Sequence, residues 1–233
     1  MKKSLISCIF AASITPVFAG MGDDPILTKV MIDQFEVRVS DGSNSLGLEA
    51  DAWMGKDLHK AWFKLDIEKT GTEYEQVELQ ALYSRAVSTY WDLQMGLRHD
   101  AKPAGETRDW AVIGIRGLAP YYFDVDAALF VGTHGQLALS VNTEYEVMLT
   151  QRLVLSPELQ VNLFSQNDSA VDQGSGLSDI ELGLRLGYEI RREIAPYIGV
   201  NWERKFGQTA RYARSVGEKT DDLQIVVGFR AWF

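Results

Sequence analysis

A chain of 233 residues with 46% hydrophobic and 24% charged residues has the composition of one folded domain, which excludes disordered and low-complexity classes. Its formal net charge of −9 argues against a nucleic-acid partner, whose phosphates call for basic patches, and makes cations the more natural small partners. One cysteine, Cys8, excludes a disulfide framework.

The chain opens MKKSLISCIFAASITPVFAG, with Lys2 and Lys3 ahead of a mainly apolar run from Leu5 to Phe18 and small residues up to Ala19. This reads as a secretory signal over residues 1–19, cut after Ala19, because the run is too short for the ~20 residues that span a bilayer as a helix. LISC resembles a lipoprotein box, but Cys8 lies too near the N-terminus to leave room for a working apolar region. Cleavage would remove Cys8, Lys2 and Lys3, taking the net charge to −11 and leaving stability to sheet closure and packing rather than to disulfides. Residues 20–30 are expected to be a short periplasmic segment, and 31–233 the body of the fold.

Beyond the signal no stretch is apolar for the length of a spanning helix, and the dominant period is two, the period of strands. Alternating segments fall at residues 32–39, 46–54, 61–67, 77–83, 90–97, 110–117, 123–131, 137–147, 153–163, 180–190, 196–205 and 223–233. The last is clearest: Leu223, Ile225, Val227, Phe229, Ala231 and Phe233 share one face, with Gln224, Gly228 and Arg230 on the other. Twelve strands at a spacing of about 18 residues, each long enough to cross at a tilt, predict an all-β, antiparallel, up-and-down transmembrane barrel. A chain ending on Phe233 after such alternation carries the terminal signal read by the outer-membrane assembly machinery.

The connections alternate as well. GKDLHK, SRAVST, LAPYY, LTQR and RREIA are compact, whereas HDAKPAGETRD, SQNDSAVDQGSGLSD and FGQTARYARSVGEKTDD read as long polar loops. Short turns on one rim and long loops on the other are the habit of outer-membrane barrels, with both termini periplasmic. The connections near Gly42 and Gly132 are short for the long-loop rim, so ten strands stay open as an alternative.

The two faces divide the chemistry. Val37, Leu48, Phe63, Leu79, Leu93, Ile113, Val125, Leu139, Leu159 and Leu184 form an apolar band that would meet outer-membrane lipid. The other face carries the acidic Glu49, Asp51, Asp66, Asp92, Asp124, Asp126, Glu144 and Glu181, with Glu36, Glu68, Glu78, Glu146, Glu158, Glu189 and Glu203. Arg38, Arg98, Arg116, Arg185 and Arg230, with Lys64, are its basic members. So many charges cannot lie in a dry core unless paired, so a polar lumen is expected, with the arginines bracing part of it and the acidic excess favouring cations. The tryptophans lie mostly near strand ends, where an interfacial girdle would place them, although Trp53, Trp62, Trp110 and Trp232 fall on the inward register.

LYSRAVSTYWDLQMGLRHD, GLAPYYFDVDAALFV, MLTQRLVLSPELQVNL, GLSDIELGLRLGYEIRREIAPYIGVNWERKFGQTA and the ending GFRAWF resemble the copper resistance protein B family of outer-membrane proteins, from about Asp33 to Phe233. The resemblance implies a barrel of copper homeostasis at the cell outer membrane, a copper ion as its metal, and a periplasmic multicopper oxidase as partner. Family members carry a Met- and His-rich segment ahead of the barrel, whereas only GMGDDPILTKVM precedes the first strand here, with Met21 and Met31 as soft donors. The metal site is therefore expected in the barrel itself, and the candidate ligands are His99, Asp100 and His134 at the long-loop rim. The bland alternative is that His59, His99 and His134 are solvated surface side chains. Ser84 and Ser88 lie far from His99 and His134, so no Ser-His-Asp arrangement is suggested and the chain is read as no enzyme. The competing function is a cation-favouring porin-like or structural barrel without metal specificity.

Overall fold

The computed structural model describes residues 24–40, 44–71, 73–101, 107–133 and 135–233; the signal expected at 1–19, and with it Met21 and His134, lie outside them. Thirteen strand segments follow the chain: β1 (Leu27–Val39), β2 (Asn44–Gly55), β3 (His59–Thr70), β4 (Glu73–Ser88), β5 (Trp91–Ala101), β6 (Arg108–Ala119), β7 (Phe123–Gly132), β8 (Leu137–Glu144), β9 (Val147–Met148), β10 (Leu153–Phe164), β11 (Gly176–Tyr188), β12 (Ile194–Lys205) and β13 (Asp221–Trp232). β8 and β9 both pair with β10 and are two parts of one broken strand, so the segments make twelve staves. Each stave is antiparallel to the next in sequence, and β13 pairs with β1 to close the barrel. The expected twelve strands are all present, and ten is ruled out.

Alternation drives the closure. Val37, Phe63, Leu79, Ile113, Leu139 and Leu184 are exposed on the outer surface, as lipid-facing residues must be, and Met54 and Met95 join them. Among the described residues no helix is long and apolar enough to cross a membrane; the strands form the span. Followed once around the barrel, the pairings return to β13 displaced by about 16 residues, a stagger that tilts the strands strongly to the axis. Phe233 completes the seam: its amide donates to the Val30 carbonyl at 2.8 Å and its carbonyl accepts from Val30 N at 3.0 Å.

Three features depart from the sequence reading. β1 begins at Leu27 and carries a bulge at Asp33, visible as a register shift against β2 between Ile32 and Gln34, which turns Lys29 and Met31 inward below it. The long connection after β12 is no plain loop but contains helix α1 (Gly207–Ser215), which packs against β11 and buries Thr209, Ala210 and Ala213. Its buried positions are small and too few to produce an apolar period in the sequence. Finally, the tight turn between β6 and β7 sets Tyr121 and Tyr122 at φ 68° and 67°, left-handed values rarely held by bulky residues, with both rings exposed.

Candidate functional site

The barrel encloses a polar lumen of about 1440 Å³ whose lining is set by the register of the staves. Alternation fixes which residues point inward, and pairing fixes which inward residues become neighbours. One cross-strand row reads Glu49 on β2, Asp66 on β3, Glu78 on β4 and Asp100 on β5, each directly opposite the next. A second reads Asp124 on β7, Glu144 on β8 and Glu158 on β10. Directly opposed side chains have Cβ atoms about 4.5–5.5 Å apart, where like charges repel, so each row must be offset by a counter-charge.

Arginines supply part of it. Arg98 binds Glu78 at 2.7 Å and Asp100 at 2.7 Å, and Trp110 Nε1 donates to Asp100 at 2.9 Å. Arg230 binds Glu144 at 2.7 Å and Glu146 at 3.1 Å. Arg185 is the most heavily bonded: it donates to both oxygens of Glu36 at 2.9 Å, to Glu158 at 2.6 Å and to Gln34 at 2.7 Å. Glu36, whose side chain is 0% exposed, also accepts from Arg38 at 2.8 Å and from the Tyr197 hydroxyl at 2.8 Å. Arg38 continues to Glu181 at 3.1 Å. Arg116 reaches from β6 to Asp51 on β2 at 2.7 Å, and Lys64 on β3 bonds Asp126 on β7. The contacts of Arg116, Lys64 and Arg230 tie staves that are four apart, those of Arg38 and Arg185 tie β1 to β11, and Arg98 ties β5 to its neighbour β4.

Glu49 and Asp66 are different: among the described residues they make no hydrogen bond or ion pair, although they stand opposite one another on the lumen wall. The lining has an apolar part as well. Trp53, Trp62, Leu82, Val112, Phe130 and Ala138 follow one cross-strand row from β2 to β8, with Gly96 in the β5 position. With Trp110 they form the buried cluster of the interior, so these tryptophans fill the barrel rather than girdle it. The Arg116 guanidinium lies 4.9 Å from the Trp62 ring and Arg98 4.6 Å from that of Phe130, so the belt also holds the cations.

At the long-loop rim one connection reaches onto the lumen. Residues 165–175 fold inward so that Ala170, Val171, Asp172 and Gln173 line the lumen, and Thr209 of α1 lines it beside them. Asp168 accepts from Arg108 Nε at 2.9 Å and Nη2 at 3.2 Å, from Gln136 at 3.0 Å and from the Ala170 amide at 3.1 Å. Burial pushes its carboxyl up, but the bonds from Arg108, Ala170 and Gln136 outweigh that and hold it below the ordinary carboxylate range.

Of the expected rim ligands, His99 and Asp100 face opposite sides of the wall, and His134 lies outside the described residues. His99 points out of the barrel and meets Asp109 at 2.6 Å, while Asp100 points into the lumen and is taken up by Arg98 and Trp110. Among the described residues no group of three or more His, Cys, Asp or Glu side chains is arranged to hold a metal ion. Asp92, expected on the lumen face, bonds Lys60 and Ser84, each at 3.2 Å. Sequence reasoning missed the carboxylate rows, since it places residues on a face and not in register, and missed the Asp168 clamp, whose partners lie 60 and 32 residues away.

The model of the copper resistance protein B precursor family (CopB) matches residues 26–233. The chain is 43% identical over 211 residues to copper resistance protein B of Escherichia coli, covering 91% of this chain and 71% of that protein. A homologue from Pseudomonas syringae pv. tomato is 38% identical over the same shares. Among solved structures, the KdgM porin superposes with a TM-score of 0.56 at 12% identity, covering 89% of this chain and 99% of the porin. The NanC porin gives 0.58 at 11% identity, over 88% and 99%. At those identities the porins show the shared fold, that of an outer-membrane barrel.

Proposed function

The chain belongs to the copper resistance protein B family, and from that premise we propose that its lumen takes up copper ions and passes them along the acidic wall of β2 to β5. The observation that carries the reading is the pair Glu49 and Asp66, opposed across β2 and β3 and, among the described residues, without a hydrogen bond or ion pair, while Arg38, Arg98, Arg116, Arg185 and Arg230 are bonded to other carboxylates. Two facing carboxylates cost stability unless a cation or a proton offsets them, so their retention on the wall suits a passing cation. Carboxylates discriminate poorly among divalent ions, and soft donors are what select copper. The thioethers of Met31 and Met148 also line the lumen and are the candidates for that selection. A periplasmic multicopper oxidase is the partner that would receive the ion at the short-turn rim.

The test is complementation of a deletion strain, scored by growth against copper concentration, with wild type and a Glu49→Gln, Asp66→Asn double variant. Wild type should restore the normal copper response and the double variant should not. If both restore it equally, the wall does not handle the ion. If reconstituted barrels favour cations while the strain is indifferent to copper, the reading becomes that of a cation-favouring barrel without metal specificity.

A further inference from the structure

At the long-loop rim, chain that reaches onto the lumen is stitched down at several separate points. Residues 165–175 form a small hairpin of their own, with Asp168 and Gln173 exchanging backbone bonds at 2.8 and 3.0 Å and the Ser175 amide donating to Asn167 at 2.7 Å. One end is clamped across the rim, where the Asp168 carboxylate receives Arg108 from β6 and Gln136 from the β7–β8 connection. The other end rests on α1: the Gly174 amide donates to Thr209 Oγ1 at 2.9 Å, and the Thr209 and Ser178 hydroxyls bond at 3.0 Å. Between the two anchors Val171 is buried, and Asp172 takes φ 59°, a left-handed value that a residue with a side chain keeps only where its surroundings fix it.

We propose that residues 165–175 and α1 form an extracellular lid over the lumen, and that the Arg108–Asp168–Gln136 clamp is the latch holding it shut. The lid stands on a few polar contacts and little buried apolar surface, which is the make-up of segments that open locally well below global unfolding. The strands beneath are held by continuous ladders and stay closed. Release of the latch would swing residues 170–173 off the lumen and admit ions to the carboxylate rows. The inference deepens the reading of the lumen as a passage and rests on it.

Two variants open the lid by independent routes. Asp168→Asn removes the charge that Arg108 holds while keeping the side chain's size. Gly174→Ala leaves the latch untouched but sets a Cβ where it would crowd the Thr209 amide and sit 2.7 Å from Gln208 Cβ, wedging the hairpin from α1. Purified full-length barrels are inserted in planar bilayers in potassium chloride, with folding verified by the heat-dependent gel shift of closed barrels. Single-channel conductance or open time should rise at least threefold in both variants. Folded variants that conduct like wild type would overturn the lid. The reversal potential across a salt gradient, read in the same recordings, reports the passage separately: open variants without cation preference would retain the lid and refute the acidic passage.

Discussion

Arg185→Met tests how dry the braced side of the lumen is. The guanidinium is 4% exposed and holds Glu36, 0% exposed, together with Glu158 and Gln34. Removing one member of a buried ion pair leaves an uncompensated charge and costs about 3–5 kcal/mol, whereas replacing both members by apolar groups is often nearly neutral. Arg38 and Tyr197 still bond Glu36 in the variant, so the loss should fall near the lower end, about 3 kcal/mol. The Arg185→Met, Glu36→Met double variant should recover part of it, since Arg38 keeps Glu181 as its partner while Glu158 keeps only the amides of Gln34 and Asn142. Urea unfolding of the barrel in lipid vesicles, followed by tryptophan fluorescence, measures both. A single variant within about 1 kcal/mol of wild type would refute the reasoning, since it would mean that water screens the network as it does surface pairs.

Glu49→Gln and Asp66→Asn should each stabilise the barrel by about 0.2–1 kcal/mol in the same unfolding assay, by removing an opposed like charge, while weakening cation preference. Deleting Phe233 removes two seam bonds, about 1–3 kcal/mol together, but should lower outer-membrane yield far more than folded stability; normal insertion on fractionation would count against its role as assembly signal. A cysteine in place of the exposed Ser169 should react with an impermeant maleimide on intact cells, and one in place of Tyr121 only after outer-membrane rupture. Because Asp168 titrates below its ordinary value of 3.8, the latch contributes fully above that value and is lost as pH falls through the depressed one, so hydrogen-exchange protection of residues 165–175 relative to the strands should not change from about pH 5 to 8.

The fold was legible because a barrel stave carries its signature in itself: Ile180, Leu182, Leu184 and Leu186 against Glu181, Gly183 and Arg185 names the two faces of β11 without reference to any other strand. Lumen residues followed in the same way, Arg185 and Glu181 among them. Which of them touch did not follow, because neighbours depend on register, and register is fixed by pairing along whole strands and by local events such as the bulge at Asp33. Glu49 and Asp66 are 17 residues apart in the chain, and nothing in either strand alone says that they are opposed. His99 and Asp100 show the converse: adjacent in sequence, they point to opposite sides of the wall, which the period of two already implies and a search for ligand types overlooks. The helix after β12 was hidden because its burial rests on Thr209, Ala210 and Ala213, too small and too few to write a period.

The central claim, that the acidic wall of β2 to β5 carries copper as a cation, is tested most directly by the zero-current potential of the barrel in a planar bilayer under a copper(II) chloride gradient. Wild type should show the sign of cation preference, and the Glu49→Gln, Asp66→Asn variant should lose most of it. Anion preference in wild type, or a potential unchanged by the double substitution, would contradict the account.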